Sequence, residues 1–374
     1  MAELATVTVA QGKLAGKKVS ASTLKPVMFW IHGGSFQSGS GSSKFYGPDY
    51  IVTEDIVLVT INYRLGVLGF SRRNCIWPTK GFLDVEGSDV VANNGLRDQV
   101  MALRWVRDNI SQFGGDPHNV TIFGESAGAT SVHALLLAPS SEGLFHKAIA
   151  QSGTVLLCQL KSTVSNQRAF RLGKALGCET KDPQTLVEFL RTIPDQEIIL
   201  AQGKALTDVE KSVISTPFIP TDESGPNAFI PGDPLRLLHE GKFHKVPYLT
   251  GVTSAEGKLF ITGGFDPATI TNEKLLPRSL RENLSPGDSY DLGSKVKEFY
   301  FGDKTLCGET MDRYVKVSNL VVIFLLDEVS DYLIGRPSHV TKDNDGANTN
   351  RMSKDQGPRT TDYGLTDNES VEGA

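Results

Sequence analysis

Residues 119–130 read NVTIFGESAGAT, and this stretch restricts the possible folds more than any other. Residues 120–123 are β-branched or aromatic, which predicts a short buried strand. Residues 127–137 are small residues followed by leucines, which predicts a helix. Between them lies the pattern G-x-S-x-G. A chain that passes from strand to helix at one residue strains its backbone there, and only neighbours with almost no side chain tolerate the crowding. Gly124 and Gly128 meet that demand. The turn lifts the Ser126 hydroxyl clear of the backbone and aims the helix N-terminus at it. Free N–H groups and a partial positive charge at that end suit a developing oxyanion. Ser126 is therefore the candidate nucleophile.

Alone the pattern is weak, because 37 of the 374 residues are glycine. A second element upstream strengthens it. Residues 27–34 read VMFWIHGG, an apolar strand ending in H-G-G. A glycine pair after a strand lets two backbone N–H groups face one acceptor. Gly33 and Gly34 are candidate oxyanion-hole donors, and the N–H of Ala127 is the third. The two elements in this order point to an α/β-hydrolase fold.

The rest of the chain agrees with that architecture. Strand-like runs at 27–31, 55–63, 147–153 and 246–252 alternate with helical periodicity, above all over 96–113. This predicts a mostly parallel central sheet with helices on both faces. Residues 5–19 alternate around Gly12 and predict a β-hairpin. Residues 164–202 turn helical, with spaced leucines at 168–176 and 185–193, and are expected to form a cap. Residues 341–374 are rich in Asn, Asp, Thr, Gly and Ser. They offer too little apolar surface to offset ordering entropy, which predicts a disordered tail after a domain spanning 1–340.

Several functions are not expected. The net charge is −5 and the basic residues are dispersed, so neither nucleic acid nor an acidic membrane surface is an expected partner. The first residues lack a basic flank and an apolar core, and no apolar run is long enough to cross a bilayer, so the expected location is cytoplasmic. Cys75, Cys158, Cys178 and Cys307 are widely spaced without C-x-x-C. Isolated thiols are expected, with no metal and no cofactor.

Five pieces carry a family resemblance: PVMFWIHGGSFQSG at 26–39, NYRLGVLGF at 62–70, NGLRDQVMALRWV at 94–106, FGGDPHNVTIFGESAG at 113–128 and QSG at 151–153. In these the chain resembles the type-B carboxylesterase and cholinesterase family, closest in style to insect carboxylesterases. The resemblance covers roughly residues 5–20, 26–70 and 84–262, and more weakly 263–300. It implies a serine esterase acting on small neutral esters through an acyl-enzyme. It implies Ser126 as nucleophile, Gly33, Gly34 and Ala127 as oxyanion hole, and Glu256 in GVTSAEG as the triad acid. Ser152 resembles a residue packed beside the triad. Relatives specialised for juvenile hormone carry Gln where Glu125 stands, which argues against that substrate.

Three departures bear on activity. Val19 and Pro26 are nearly contiguous where the family has a long segment, and that segment contains the choline-binding tryptophan, so cholinesterase activity is not expected. Residues 71–80 are an insertion. The general-base histidine, which in the family follows the acid in a G-x-x-H setting, has no clear counterpart. Only His339 follows Glu256. The alternative expectation is a catalytically impaired or inactive homologue, a ligand-binding remnant or a truncated isoform.

Overall fold

The computed structural model describes residues 6–11, 24–67, 81–156, 161–211, 216–261, 270–276, 281 and 284–318. The insertion at 71–80, His339, and the tail at 341–374 lie outside the described residues, as do Cys75 and Cys158. Six strands form one sheet: β1 (Thr6–Gln11), β2 (Lys25–Ile31), β3 (Val57–Asn62), β4 (Gly115–Glu125), β5 (Lys147–Gln151) and β6 (Tyr248–Gly251). Their order is β1-β3-β2-β4-β5-β6. All neighbours are parallel except β1 and β3, which are antiparallel with Val7 opposite Ile61 and Val9 opposite Val59. The first arm of the predicted hairpin is thus β1, its described partner is β3, and the second arm lies outside the described residues.

β3 shows why the central strands are continuous apolar runs. Val57, Leu58, Val59, Thr60 and Ile61 are all buried, on both faces of the sheet. The helices are α1 (Asn94–Asn109), α2 (Ala127–Leu137), α3 (Ser162–Ala175), α4 (Pro183–Thr192), α5 (Asp195–Ala201), α6 (Asp208–Lys211), α7 (Pro234–His239) and α8 (Pro286–Phe301). α1 buries Leu96, Val100, Leu103 and Val106, one stripe at helical spacing. α2 is buried on every side and packs against β2, β4, β5 and α1. α4 begins where Asp182 accepts the Thr185 N–H at 2.7 Å and Pro183 enters the first turn. Leu172 of α3 and Leu186, Val187 and Leu190 of α4 join the main hydrophobic core. A smaller core around α8 gathers Leu275, Phe301, Tyr314 and Val317.

A buried ion pair joins the end of β3 to α1. Asp98 receives the Arg64 Nε at 2.7 Å, its Nη2 at 2.6 Å and its backbone N–H at 3.0 Å. Burial pushes the Asp98 carboxyl up, and the guanidinium pulls it back toward the ionised form. The two residues come from two of the stretches that carry the family resemblance, at 62–70 and 94–106.

Candidate active site

The chain runs from β2 to β3 on one side of β2, then returns to place β4 on the other side. The carboxyl ends of β2 and β4 therefore flank the point where strand order reverses, the usual crevice of open α/β sheets. The H-G-G loop leaves β2 there, and the G-x-S-x-G turn leaves β4 there.

Ser126 sits between β4 and α2 with φ 56° and ψ −120°, a conformation that L-residues rarely adopt. Its N–H donates to the Gln151 carbonyl at 2.9 Å, and its carbonyl accepts the Thr130 N–H at 2.9 Å. The flanking glycines are sterically required. A methyl on Gly128 would lie 2.0 Å from the Ile31 carbonyl oxygen, and one on Gly124 would lie 2.6 Å from the Gly128 carbonyl carbon. The oxyanion loop touches the elbow. A methyl on Gly33 would lie 3.2 Å from Ser126 Cβ and 2.8 Å from Glu125 Oε2. Gly34 adopts φ 111° and its carbonyl accepts the N–H groups of Gln37 and Ser38, both at 3.0 Å, which turns the loop back. Ala127 opens α2 and is 3% exposed, so its N–H belongs to the buried start of that helix.

The loop is held from behind. The His32 ring stacks on Tyr63 with centroids 4.5 Å apart, and Tyr63 donates its hydroxyl to the His32 carbonyl at 2.7 Å. His32 Nδ1 lies 2.7 Å from the Gly33 carbonyl. Burial lowers the His32 pKa. This buttress is invisible to motif reading, because Tyr63 meets His32 only once β2 and β3 are neighbours.

Glu256 begins a 3-10 turn just after β6. Its Oε1 accepts the Ser152 hydroxyl at 2.6 Å, the Thr253 N–H at 2.7 Å and the Thr253 hydroxyl at 3.0 Å. Ser152 is strained like Ser126, with φ 57°, and its N–H donates to the Gly251 carbonyl at 2.8 Å. A methyl on the next residue, Gly153, would lie 2.4 Å from the Ser126 carbonyl oxygen. The ends of β4, β5 and β6 thus bring Ser126, Ser152 and Glu256 into one contiguous group. Glu125 belongs to it as well. Burial of its carboxyl end against the H-G-G loop raises its pKa first, and repulsion from Glu256 raises it further.

Among the described residues no histidine is hydrogen-bonded to Ser126 or Glu256. His133 is buried in α2 with Nδ1 2.8 Å from the Thr154 hydroxyl, and burial lowers its pKa to about 3. His146 Nδ1 accepts the Val120 N–H at 3.1 Å. His244 Nε2 lies 2.8 Å from the Ala138 carbonyl and 3.1 Å from the Ser141 hydroxyl. Among the described residues, no group of three His, Cys, Asp or Glu could hold a metal, and no helix is long and apolar enough to cross a membrane.

Comparison with known proteins gives this geometry a lineage. A sequence profile of the Carboxylesterase family matches residues 7–341. Esterase FE4 of Myzus persicae is 38% identical over 311 residues, which are 80% of this chain and 51% of that protein. A carboxylic ester hydrolase of Bombus ignitus is 34% identical over 302 residues, 77% of this chain and 50% of that protein. The crystal structure of juvenile hormone esterase from Manduca sexta superposes with a TM-score of 0.68 at 30% identity, covering 83% of this chain and 58% of that one. PNB esterase gives 0.66 at 29% identity, covering 88% and 63%. The chain spans about half the length of the first two of these relatives. With the family profile covering most of its length and the elbow and H-G-G loop in contact, this chain belongs to the carboxylesterase family.

Proposed function

We propose that the chain serves hydrolysis of small neutral carboxylic esters through an acyl-enzyme on Ser126. A general base removes the hydroxyl proton as Oγ attacks the ester carbonyl. The N–H groups of Gly33, Gly34 and Ala127 hold the resulting oxyanion. The alcohol leaves with the proton, and water then releases the acid and restores the serine. Glu256, fixed through Oε1 by Ser152 and Thr253, orients the imidazole and stabilises it when charged. The observation that carries this reading is the contact of Gly33 with Ser126 at the strand switch point. Of the histidines, His339 alone follows Glu256 in the sequence, and it is the residue to test as the base.

The alternative reading, an impaired esterase, is put to the same test. None of the described histidines is bonded to the serine or the acid. Without its base a comparable triad loses about 10⁶ in kcat, and the oxyanion hole alone retains about 10³–10⁴ over water. Hydrolysis of p-nitrophenyl butyrate and labelling by a fluorophosphonate separate the readings. The esterase reading expects turnover that Ser126→Ala abolishes and labelling confined to Ser126. Turnover unchanged by Ser126→Ala would overturn it. Labelling absent at Ser126 in folded protein would select the impaired reading, and loss of turnover in His339→Ala would identify the base.

A further inference from the structure

Ser126 has a second carboxylate beside it. Glu125 ends β4 and precedes the nucleophile directly. Its Oε2 and the Ser126 Cβ face the same point of the H-G-G loop, 2.8 Å and 3.2 Å from where a methyl on Gly33 would sit. The two side chains thus meet across a residue that has none, within reach of one another directly or through one water. The residue as a whole is exposed, so water has access to it. The Glu125 carboxylate has no hydrogen bond or ion pair among the described residues. Two titratable groups face it. One is Glu256, and the other is the Tyr46 hydroxyl, which burial and then the Glu125 charge push up.

The two carboxylates are held differently. Glu256 Oε1 accepts from the Ser152 hydroxyl and from the N–H and hydroxyl of Thr253, which commits it to fixing the loop after β6. No donor holds Glu125 in its charged form. Burial of its carboxyl end, and then the Glu256 charge, make it bind a proton more readily than an ordinary carboxylate. A general base at moderate pH needs that property, and neighbouring carboxylates whose surroundings differ divide acid and base roles between them. The imidazoles of His32, His133, His146 and His244 are engaged elsewhere, with Tyr63, Thr154, Val120 and Ala138.

Resting on the esterase reading, we propose that the Glu125 carboxylate is the general base of this site. It fills the role that the acyl-enzyme scheme gives to an imidazole oriented by Glu256. In acylation the Ser126 O–H bond breaks, its proton passes through one water to Glu125 Oε2, and Oγ bonds to the ester carbon. The carbonyl π pair moves onto the oxygen held by the N–H groups of Gly33, Gly34 and Ala127. When that pair returns, the C–O bond to the alcohol breaks and the alcohol takes the proton from Glu125. In deacylation a water gives a proton to Oε2 as its oxygen bonds to the acyl carbon. The Ser126 oxygen then leaves and takes the proton back.

The test is the pH dependence of kcat/KM for p-nitrophenyl butyrate, and of Ser126 labelling by a fluorophosphonate, on the full chain. Both rates are expected to fall with pH along a limb displaced upward from the ordinary carboxylate midpoint of 4.5. Glu125→Gln is expected to lower kcat/KM at least about 100-fold and to remove the limb, with cooperative melting retained. In Glu125→Ala, added formate is expected to restore the rate by about tenfold or more, which a purely structural side chain would not allow. An unchanged rate in Glu125→Gln, a limb that persists there and disappears in His339→Ala, or no response of folded Glu125→Ala to formate would each overturn the proposal. The esterase reading would survive those results as long as Ser126→Ala abolished turnover. Turnover that survives Ser126→Ala, or its absence from the folded unsubstituted chain, would overturn both.

Discussion

Ser126 is held in backbone strain, and the strain separates its chemical role from its structural one. At φ 56° and ψ −120° a residue with a side chain costs about 1–3 kcal/mol. Glycine escapes that cost but gains freedom in the unfolded chain worth roughly 0.5–1 kcal/mol. Ser126→Gly is therefore expected to be about 1 kcal/mol more stable than Ser126→Ala in urea unfolding, while both lose fluorophosphonate labelling. Equal stability of the two variants would mean that the turn is relaxed in solution. No such relief exists at Gly128, where the obstacle is the Ile31 carbonyl rather than a torsion. The hydroxyl thus stands on a turn whose conformation is imposed from both sides. Ser152 repeats the arrangement one strand over, and there the strained residue directs its hydroxyl at Glu256.

Among the elements, α2 carries the most, because it starts at the nucleophile and is buried on every side. Its His133 is the one titratable side chain in that helix. With a folded pKa near 3 and an unfolded one near 6.5, it remains neutral while the unfolded chain takes up a proton. The stability this gives is complete above about pH 6.5 and is lost as pH falls toward 3, at about 1.4 kcal/mol per unit. Between pH 7 and pH 5 the unsubstituted chain is expected to lose about 2 kcal/mol more in urea unfolding than His133→Gln. Equal losses would show the imidazole to be solvated. The elements differ in how far they could be read from sequence. The strand runs within 27–31, 55–63 and 120–123 announced themselves because strands buried on both faces are mostly apolar. β4 nevertheless starts at Gly115, where Asp116, His118 and Asn119 break the apolar pattern, because backbone pairing with Lys25 needs no apolar side chain. Glu256 was legible only through resemblance. Its bond to Ser152 and the support of His32 by Tyr63 depend on which strands become neighbours, and periodicity carries no information about that.

On the scale of the whole molecule, the consequential feature is the sheet margin at β6. This strand pairs with β5 alone among the described residues. A parallel strand is ordinarily covered on both faces, yet Leu249 is 64% exposed. Leu259, just beyond it, is 70% exposed. Among the described residues, the unpaired edge of β6 beside the exposed Leu249 is a template for pairing with another copy. The site depends on this margin, since Glu256 follows β6 directly and Ser152 is tied to Gly251. Self-association through β6 would therefore disturb the acid before it disturbed Ser126, which is anchored between β4 and α2. Leu249→Lys places a charge on the bare face without touching the pairing with β5. It is expected to raise the monomer fraction on size exclusion and lower dye binding, with Ser126 still labelled at the same rate. Unsubstituted protein that elutes as a single monomer and melts cooperatively would show that the margin is protected, and the substitution would then change neither measurement.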